Sequence, residues 1–452
     1  MSNKILQKAV KAALLATAGA VSTYAGAATL DQALVQAWQN NPTLAAERES
    51  LAAAQNQVDS AKGGYYPQLK AFGGIGTSHN DVTFMAIPGF QLPLNEFSLN
   101  TRQIGIELDQ SLYQGGKISG GVDVAQHLRD AEDAHLHAVE QAVLLDAAQA
   151  YMGVLEAQAV LQLEQSNENV LKQALDAAQA SFDNGEVTHT DVDQAKARLA
   201  GTQAARIQAE GAVISAMATY ERVIGTQPDS LQQPAALNGL PANQQDALAL
   251  ADRNYEVVAA LAQSAAAQSN VDIAESGMKP SVTLVAQVSK ANEPQFLFEK
   301  LDTRSIMLNV SVPLFTGGTV TSQVHAAKHQ AASSEQQALD ARRQARDQVI
   351  SAWQAYQTAT AGLAAIQVQI TAAQSAYDGV VAEHREGERT TLDVLNAEQE
   401  LLNAKVNQVK AQSDETVAEY SLKAATGSLT AADLHLPVTQ TTDGGAVAAS
   451  DQ

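Results

Sequence analysis

The stretch EHREGERTTLDVLNAE, residues 383–398, decides the fold because a related stretch, SFDNGEVTHTDVDQAK, occupies residues 181–196. Gly387 and Gly185 hold the same place in the two copies. A glycine ends a helix easily, since it adopts a positive φ without a Cβ clash. The Thr-x-x-Asp that follows each glycine resembles a capping box, which begins the next helix. The sequence therefore predicts a duplicated pair of long antiparallel helices, each pair joined by a tight turn.

The same order of elements occurs twice along the chain. Residues 28–224 and residues 244–427 each have the pattern of a helix, a β-hairpin, a long helix, a turn and a further helix, as expected of an internal structural repeat. Residues 225–243 contain three prolines and form a linker between the repeats. The tail, residues 428–452, is small and polar, and we predict that it is disordered.

Each repeat contains two segments in which apolar and polar residues alternate, as in a β-strand. Ile104, Ile106 and Leu108 share one face of the second segment. A strand of about ten residues with one apolar face has the length of a transmembrane strand, yet four strands do not close a barrel. The sequence leaves two alternatives, a soluble sheet or a barrel shared by several chains. Glycine pairs stand between strand and long helix in both repeats: Gly115, Gly116, Gly317 and Gly318.

The amino terminus indicates export from the cytoplasm. Residues 1–27 combine a lysine-containing start, a short apolar run and a small-residue cleavage site, which is the pattern of a signal peptide. The formal net charge is −21, which argues against nucleic acid and against an anionic membrane surface as partners. Apolar residues make up 45% of the chain but aromatic residues only 4%, so the helices pack mainly through small side chains.

No arrangement of residues in the sequence points to catalysis. We find no Ser-His-Asp pattern, no paired carboxylates at catalytic spacing and no cysteine, and we predict no enzyme activity, no cofactor and no metal site. His325 and His329 are four residues apart on one helix, a spacing that suits a metal, but solvated helix residues are the favoured interpretation. Tyr65, Tyr66 and Tyr113 flank strands and suit an aromatic belt at a bilayer interface.

Taken together, these motifs resemble the TolC family of outer-membrane channel-tunnels. The resemblance rests on LYQGGK at residues 112–117, LFTGGT at 314–319, Thr190-Asp191-Val192 after the first turn and GERTTLDVLN at 387–396. It implies a mixed, mainly α fold in which three identical chains share a twelve-stranded transmembrane β-barrel and an α-helical periplasmic tunnel. The linker would then lie in an equatorial region of that tunnel.

The resemblance also implies a function, a location and partners. The protein would be a passive, gated exit duct in the outer membrane, with a long periplasmic portion, serving a type I secretion or efflux system. Its partners would be a periplasmic adaptor, an inner-membrane transporter of the ABC or RND type, and outer-membrane lipid. The alternative is a structural coiled-coil protein of the cell envelope in which the strands form a small soluble sheet.

The duplicated turn supplies the site residues that the resemblance implies. Asp393 matches an aspartate that rings the closed periplasmic entrance, and Asn396 stands where the family has a second aspartate, so one ring loses its charge. From the residues alone, helix capping is the favoured explanation of Asp393 and Asp191. For Asp393 the capping role and the ring role are compatible.

The resemblance further implies a latch that holds the entrance closed. Arg389 matches the latch arginine, and Thr190 and Asp191 match its partners on the neighbouring helix pair. His384 stands where the family has a tyrosine, and a histidine in that place is able to bond a carboxylate. If His384 pairs with Asp191, gating responds to pH near the pKa of histidine.

Overall fold

The structure is a computed structural model that describes residues 29–81, 96–295 and 298–438. The predicted signal peptide and the end of the tail lie outside these residues. The α-helices are α1 Leu30–Asn40, α2 Pro42–Lys62, α3 Lys117–Asp183, α4 His189–Ile224, α5 Gln244–Leu250, α6 Tyr255–Ser276, α7 Thr319–Arg385 and α8 Thr391–Ala425. The strands are β1 Gln68–Asp81, β2 Glu96–Tyr113, β3 Ser281–Gln295 and β4 Phe298–Ser311. Two short 3₁₀ turns, Gly63–Tyr65 and Ala251–Arg253, complete the order.

The long helices confirm the predicted duplicated hairpins. Helices α3 and α7 have 67 residues each, which corresponds to roughly 100 Å at the rise of an α-helix. Each runs antiparallel to the helix that follows it, α3 with α4 and α7 with α8. We call α3–α4 the first hairpin and α7–α8 the second hairpin. Among the described helices, none is long and apolar enough to span a bilayer.

The four strands form one antiparallel sheet in the order β1-β2-β3-β4. Its pairing brings the predicted apolar residues onto one face, for example Ile106 opposite both Ala71 and Val288. The strands extend further into the predicted first loop than alternation indicates, because polar residues up to Asp81 also pair with β2. On the last strand the pairing stops earlier than predicted, at Ser311.

The shorter helices that begin each repeat differ from the prediction, because each is interrupted near its start. Asn41 caps α2 just before Pro42, and Asn254 caps α6 after a 3₁₀ turn. The Asn41 amide also donates to the Val223 carbonyl at 3.3 Å, and the Asn254 amide donates to the Ala425 carbonyl at 3.3 Å. These two asparagines occupy equivalent places in the two repeats, and each ties its short helix to the end of a hairpin. We call these two places, at Asn41 and Asn254, the joints.

The largest core lies halfway along α3, where the linker and the tail both pack. The Tyr151 hydroxyl donates to the Gln232 carbonyl at 2.6 Å, which holds the linker against α3. Leu429 and Ala431 are fully buried in the same core. The prediction of a disordered tail is therefore wrong for residues 428–438, because its apolar side chains find a core that the sequence does not reveal. Residues 439–452 lie outside the described part of the chain.

A buried carboxylate ties this core together. Glu140 accepts hydrogen bonds from the Trp38 indole at 2.9 Å and from the Ala431 amide at 2.9 Å, and its Oε2 lies 3.0 Å from Nδ1 of His137. Burial opposes ionisation of Glu140, but the bonds from His137 and Ala431 outweigh it and hold its pKa below the usual value. The His137 ring in turn stacks on Tyr255, so Glu140 and His137 together link α1, α3, α6 and the tail.

Candidate functional site

The two hairpin turns have the same backbone geometry. Gly185 and Gly387 adopt φ of 75° and 82°, as their predicted helix-ending role requires. In each turn the glycine N–H and the following glutamate N–H donate to carbonyls of the preceding helix, the pattern of a Schellman motif. The Glu186 bond measures 2.8 Å and the Glu388 bond 3.0 Å. The local sequence therefore builds the same turn twice.

Asp191 and Asp393 both cap the helix that follows their turn. The Asp191 carboxylate accepts from the Thr188 amide at 2.8 Å and from its hydroxyl at 2.7 Å. Asp393 accepts from Thr390 in the same way, at 3.0 and 2.7 Å. These bonds to threonine hold the pKa of both carboxylates below the ordinary value. Oδ2 accepts all of these bonds, so the cap does not use Oδ1 of either aspartate.

The arginine and histidine predicted to form the latch are bonded within the second turn. Arg389 Nε donates to Glu383 Oε2 at 2.8 Å, across the turn. His384 Nδ1 lies 2.8 Å from the Arg389 carbonyl oxygen. Within the described residues, neither side chain bonds to Asp191 of the same chain. Glu383 is a partner that sequence reasoning missed, although its place six residues before Arg389 brings it to the other side of the tight turn.

One hydrogen bond joins the two hairpins near their turns. Arg198 Nη2, on α4, donates to the Asn396 side-chain oxygen, on α8, at 2.8 Å. Asn396 is the residue predicted at the second ring of the entrance. Sequence reasoning identified Asn396 but not Arg198, because the two residues are 198 positions apart and no local pattern connects them. The Asn396 amide is thus held by a cation of the same chain.

A half-buried glutamate, Glu398, lies about two helical turns after Thr390, the N-cap of α8. Burial raises the pKa of Glu398 to about 7, and Lys405 opposes the rise only in part. Tyr377, on α7, has a raised pKa because it is buried and because Glu398 is near. In the first repeat the equivalent residue is the exposed Lys196. The titratable group of the second turn was absent from the predicted site, since only burial distinguishes it from other helix glutamates.

The glycine pairs lie at the opposite end of the hairpins, where strand passes into helix. All four adopt positive φ, between 62° and 95°. A Cβ on Gly115 would meet the Ser276 carbonyl oxygen at 2.9 Å, whereas a Cβ on Gly317 would meet nothing within 4 Å. The predicted role in turning the chain holds for both pairs, but close packing also requires a glycine only at Gly115. His325 and His329 are both exposed, and the described residues contain no group of potential metal ligands.

The arrangement of long helical hairpins, a four-stranded sheet and capped turns is found in known proteins. Residues 33–226 and 247–428 match the family described as outer membrane efflux protein. The chain belongs to this family. It is 33% identical to the outer membrane efflux protein BepC of Brucella suis over 91% of this chain and 88% of the relative. It is also 26% identical to the outer membrane protein TolC of Salmonella enteritidis, over 91% of this chain and 84% of the relative.

Solved structures agree with the fold. The outer membrane protein VceC of Vibrio cholerae superposes with a TM-score of 0.74 at 21% identity, covering 88% of this chain and 96% of that chain. Membership of the outer membrane efflux protein family confirms the predicted resemblance, the mainly α fold, the outer-membrane location and the function as an export channel. It speaks against the alternative of a structural coiled-coil protein. The relatives are channel proteins rather than enzymes.

Proposed function

We propose that three copies of this chain form one outer-membrane duct, to which each contributes four strands of a twelve-stranded barrel. The single observation that carries the proposal is the sheet, which exposes a broad apolar face and ends in two unpaired edges, β1 and β4. Ile75 and Ile306 on that face are 79% and 78% exposed. Backbone groups at an open edge in lipid cost several kcal/mol each, so further copies must pair with both edges. The family resemblance supplies the number three.

The opposite face of the sheet suits a water-filled lumen. Lys70 contacts Glu107 at 2.6 Å and Asp109 at 3.2 Å, so this face carries a cluster of one cation and two carboxylates. In transmembrane barrels polar residues face the lumen and apolar residues face lipid. The two faces of this sheet therefore differ in the way that a barrel strand requires, and the helical hairpins extend the lumen on the periplasmic side.

The turns of the second hairpin form the gated entrance in this proposal. Three copies of Asp393 near one axis repel one another and attract cations, because their caps leave one oxygen of each carboxylate uncommitted. Asn396 contributes no charge, so the entrance has one acidic ring. Arg389 reaches Thr190 and Asp191 of a neighbouring helix pair, and Glu383 holds it in place when that contact opens. A periplasmic adaptor and an inner-membrane transporter dock at this end.

The entrance is tested by single-channel conductance in planar bilayers. We expect a small conductance that divalent cations added on the periplasmic side block, and we expect Asp393→Asn to relieve the block. Asp193→Asn is the matched control, since it removes an exposed carboxylate near the turn of the first hairpin that belongs to neither the ring nor the latch, and it should leave the block in place. A block that survives Asp393→Asn rejects the acidic ring. A protein that never conducts and needs no detergent rejects the channel.

The latch is tested by the same recording on different variants. Arg389→Ala and Asp191→Ala should each raise the conductance, because each removes one side of the contact between helix pairs. Glu383→Gln removes only the intrachain partner of Arg389 and should leave the conductance small. If Glu383→Gln opens the channel as much as Arg389→Ala does, the restraint acts within one turn and the latch between helix pairs is wrong.

A further inference from the structure

The apolar face of the sheet ends along a line that crosses the strands diagonally. Toward the hairpin tips, the run of apolar residues on this face ends at Ile75 on β1, Ile104 on β2, Val288 on β3 and Ile306 on β4, and the residues that follow on the same face are polar, as far as Lys300 on β4. Each of these residues lies two positions further from the hairpin tips than the one on the preceding strand. The register shows this shift, because Ile75 pairs with Arg102, Ile104 with Lys290, and Val288 with Arg304. A shift of two residues between neighbouring strands corresponds to a slope of roughly 55°, and the tilt of barrel strands, about 35–45°, removes most of this slope. The line therefore marks the outer boundary of the lipid-facing band.

Three of the four strands place a cation directly beyond this boundary. Arg102, Lys290 and Arg304 each follow the last apolar residue by two positions toward the tip, so they lie on the same face. Cross-strand diagonal neighbours in a sheet are roughly 7–8 Å apart, which makes the three an evenly stepped row. On β1 the equivalent residue is Thr77. We call Arg102, Lys290 and Arg304 the basic row.

The basic row is exposed and has no ion-pair partner in the part of the chain that the structure describes. All three side chains are exposed, and among the described residues none of them forms an ion pair. Asp302 stands opposite Lys290 in the register but makes no ion pair with it, and Lys300 follows two residues further. The patch therefore stays positive on a chain whose net charge is −21. A general excess of lysine and arginine does not explain it.

We propose that the basic row binds the phosphate groups of anionic lipid headgroups in the outer leaflet, a proposal that rests on the membrane insertion proposed above. Lysine and arginine at a membrane surface attract anionic lipid, and arginine binds phosphate oxygens with two parallel hydrogen bonds. The long side chains reach outward from the edge of the apolar band while their stems stay against lipid. In a trimer the row is repeated around the barrel, so that it forms a belt at a fixed height.

The test is a lipid titration of the detergent-solubilised full-length protein followed by native mass spectrometry. The probe is a bisphosphorylated diglucosamine glycolipid, compared with its dephosphorylated form. We expect the phosphorylated form to bind more tightly, each of Arg102→Gln, Lys290→Gln and Arg304→Gln to weaken it by about fivefold, and the triple variant by on the order of 100-fold. Lys70→Gln is the matched control, because it removes one cation from the opposite face of the same sheet, and it should leave binding unchanged.

Three results overturn the proposal. The triple variant binds the phosphorylated lipid as tightly as the parent, Lys70→Gln weakens binding as much as the others, or millimolar inorganic phosphate displaces the lipid completely, which indicates a site for free anions. Failure of the channel itself is recognised separately. The parent and the triple variant should conduct equally in zwitterionic bilayers, whereas a parent that does not conduct rejects the proposed function, whatever the lipid result.

Discussion

The two hairpins have the same length and the same turn, yet α3 is enclosed by the chain and α7 lies at its edge. Helix α3 packs against α2, α4, α6 and α8 as well as α1, whereas α7 packs against α6, α8 and the short α5. The residues that α7 buries in its first half fall seven apart, at Val324, Ala331, Ala338 and Ala345. Such a stripe is the narrow seam of a coiled coil. The remaining face of α7 is thus open to another chain.

The interiors of the two hairpins differ as well. In the first hairpin the buried Asn167 amide donates to the Thr202 hydroxyl at 3.2 Å, and Arg206 lies 2.7 Å from Glu168. The second hairpin has only an exposed amide pair at the corresponding height, in which Gln408 donates to Gln367 at 2.9 Å. A buried polar layer fixes the register of two helices more strongly than an exposed pair does. The comparison therefore predicts that the first hairpin is the fixed support and the second is the part that moves.

The largest expected effect tests the difference in burial between α3 and α7. Leu144 on α3 is fully buried, and Arg346 holds the equivalent place on α7, where it is exposed. Leu144→Ala should lower the free energy of unfolding by about 2–5 kcal/mol, because it leaves a cavity in the largest core. Arg346→Ala should change it by less than about 0.5 kcal/mol. Denaturant unfolding of the detergent-solubilised protein measures both, and equal shifts would contradict the comparison.

A smaller effect is expected at the joints between short helices and hairpins. Asn254→Ala removes a buried amide that bonds the end of α8, and should cost about 1–3 kcal/mol. Asn41→Ala removes the equivalent bond to the end of α4, together with the cap of α2, from a more exposed joint and should cost less, since water replaces the lost partner. The same unfolding experiment ranks the two variants. A larger cost at Asn41 would show that Pro42, and not burial, sets the strength of a joint.

The smallest expected effect concerns the pH dependence of stability, which should differ between the two turns. The folded-state pKa of Glu398 is raised to about 7, so the folded protein binds a proton that the unfolded chain releases near its ordinary value of 4.5. Folding is therefore favoured at low pH and loses stability as the pH rises from 4.5 to 7. Glu398→Gln should stabilise the protein at pH 8 and have little effect at pH 4. The effect is modest, because the carboxyl is only partly buried and solvent screens it.

Two measurements at each pH check this prediction. The first is the unfolding midpoint of Glu398→Gln against that of the parent, with Glu400→Gln as the control, since Glu400 is an exposed carboxylate on the same helix. The second is the unfolding midpoint of the parent itself, which should fall as the pH rises from 4.5 to 7. A stabilisation of equal size at pH 4 and pH 8 would assign the effect to packing instead of ionisation.

Much of the fold was predictable from short-range patterns. The two turns followed from Gly185 and Gly387, and the strand-to-helix turns from the glycine pairs, because each depends on the φ of one or two residues. The joints at Asn41 and Asn254 were missed, since helical periodicity continues across both. The tail was misjudged because its composition is polar on average, although Leu429 and Ala431 fill the core.

The candidate site was predicted in part. Asp393 and Asp191 follow from their spacing to threonine, a bond that lies within one helical turn. The partners Glu383 and Arg198 were missed, because one depends on how the turn folds back and the other joins residues 198 positions apart. The role of Asp393 as a ring and the latch between helix pairs stay predictions, since both require the other chains.

By itself the sequence determined the elements, their order and their repetition, because glycine conformation, capping and alternation act within a few residues. Only the tertiary structure decided that one of two equal hairpins is enclosed and the other is open. It also decided that Asn396 is bonded to Arg198 and that burial raises the pKa of Glu398 to about 7. Burial and long-range bonds depend on which surfaces meet. Two copies of one local pattern therefore acquire different environments when the chain packs.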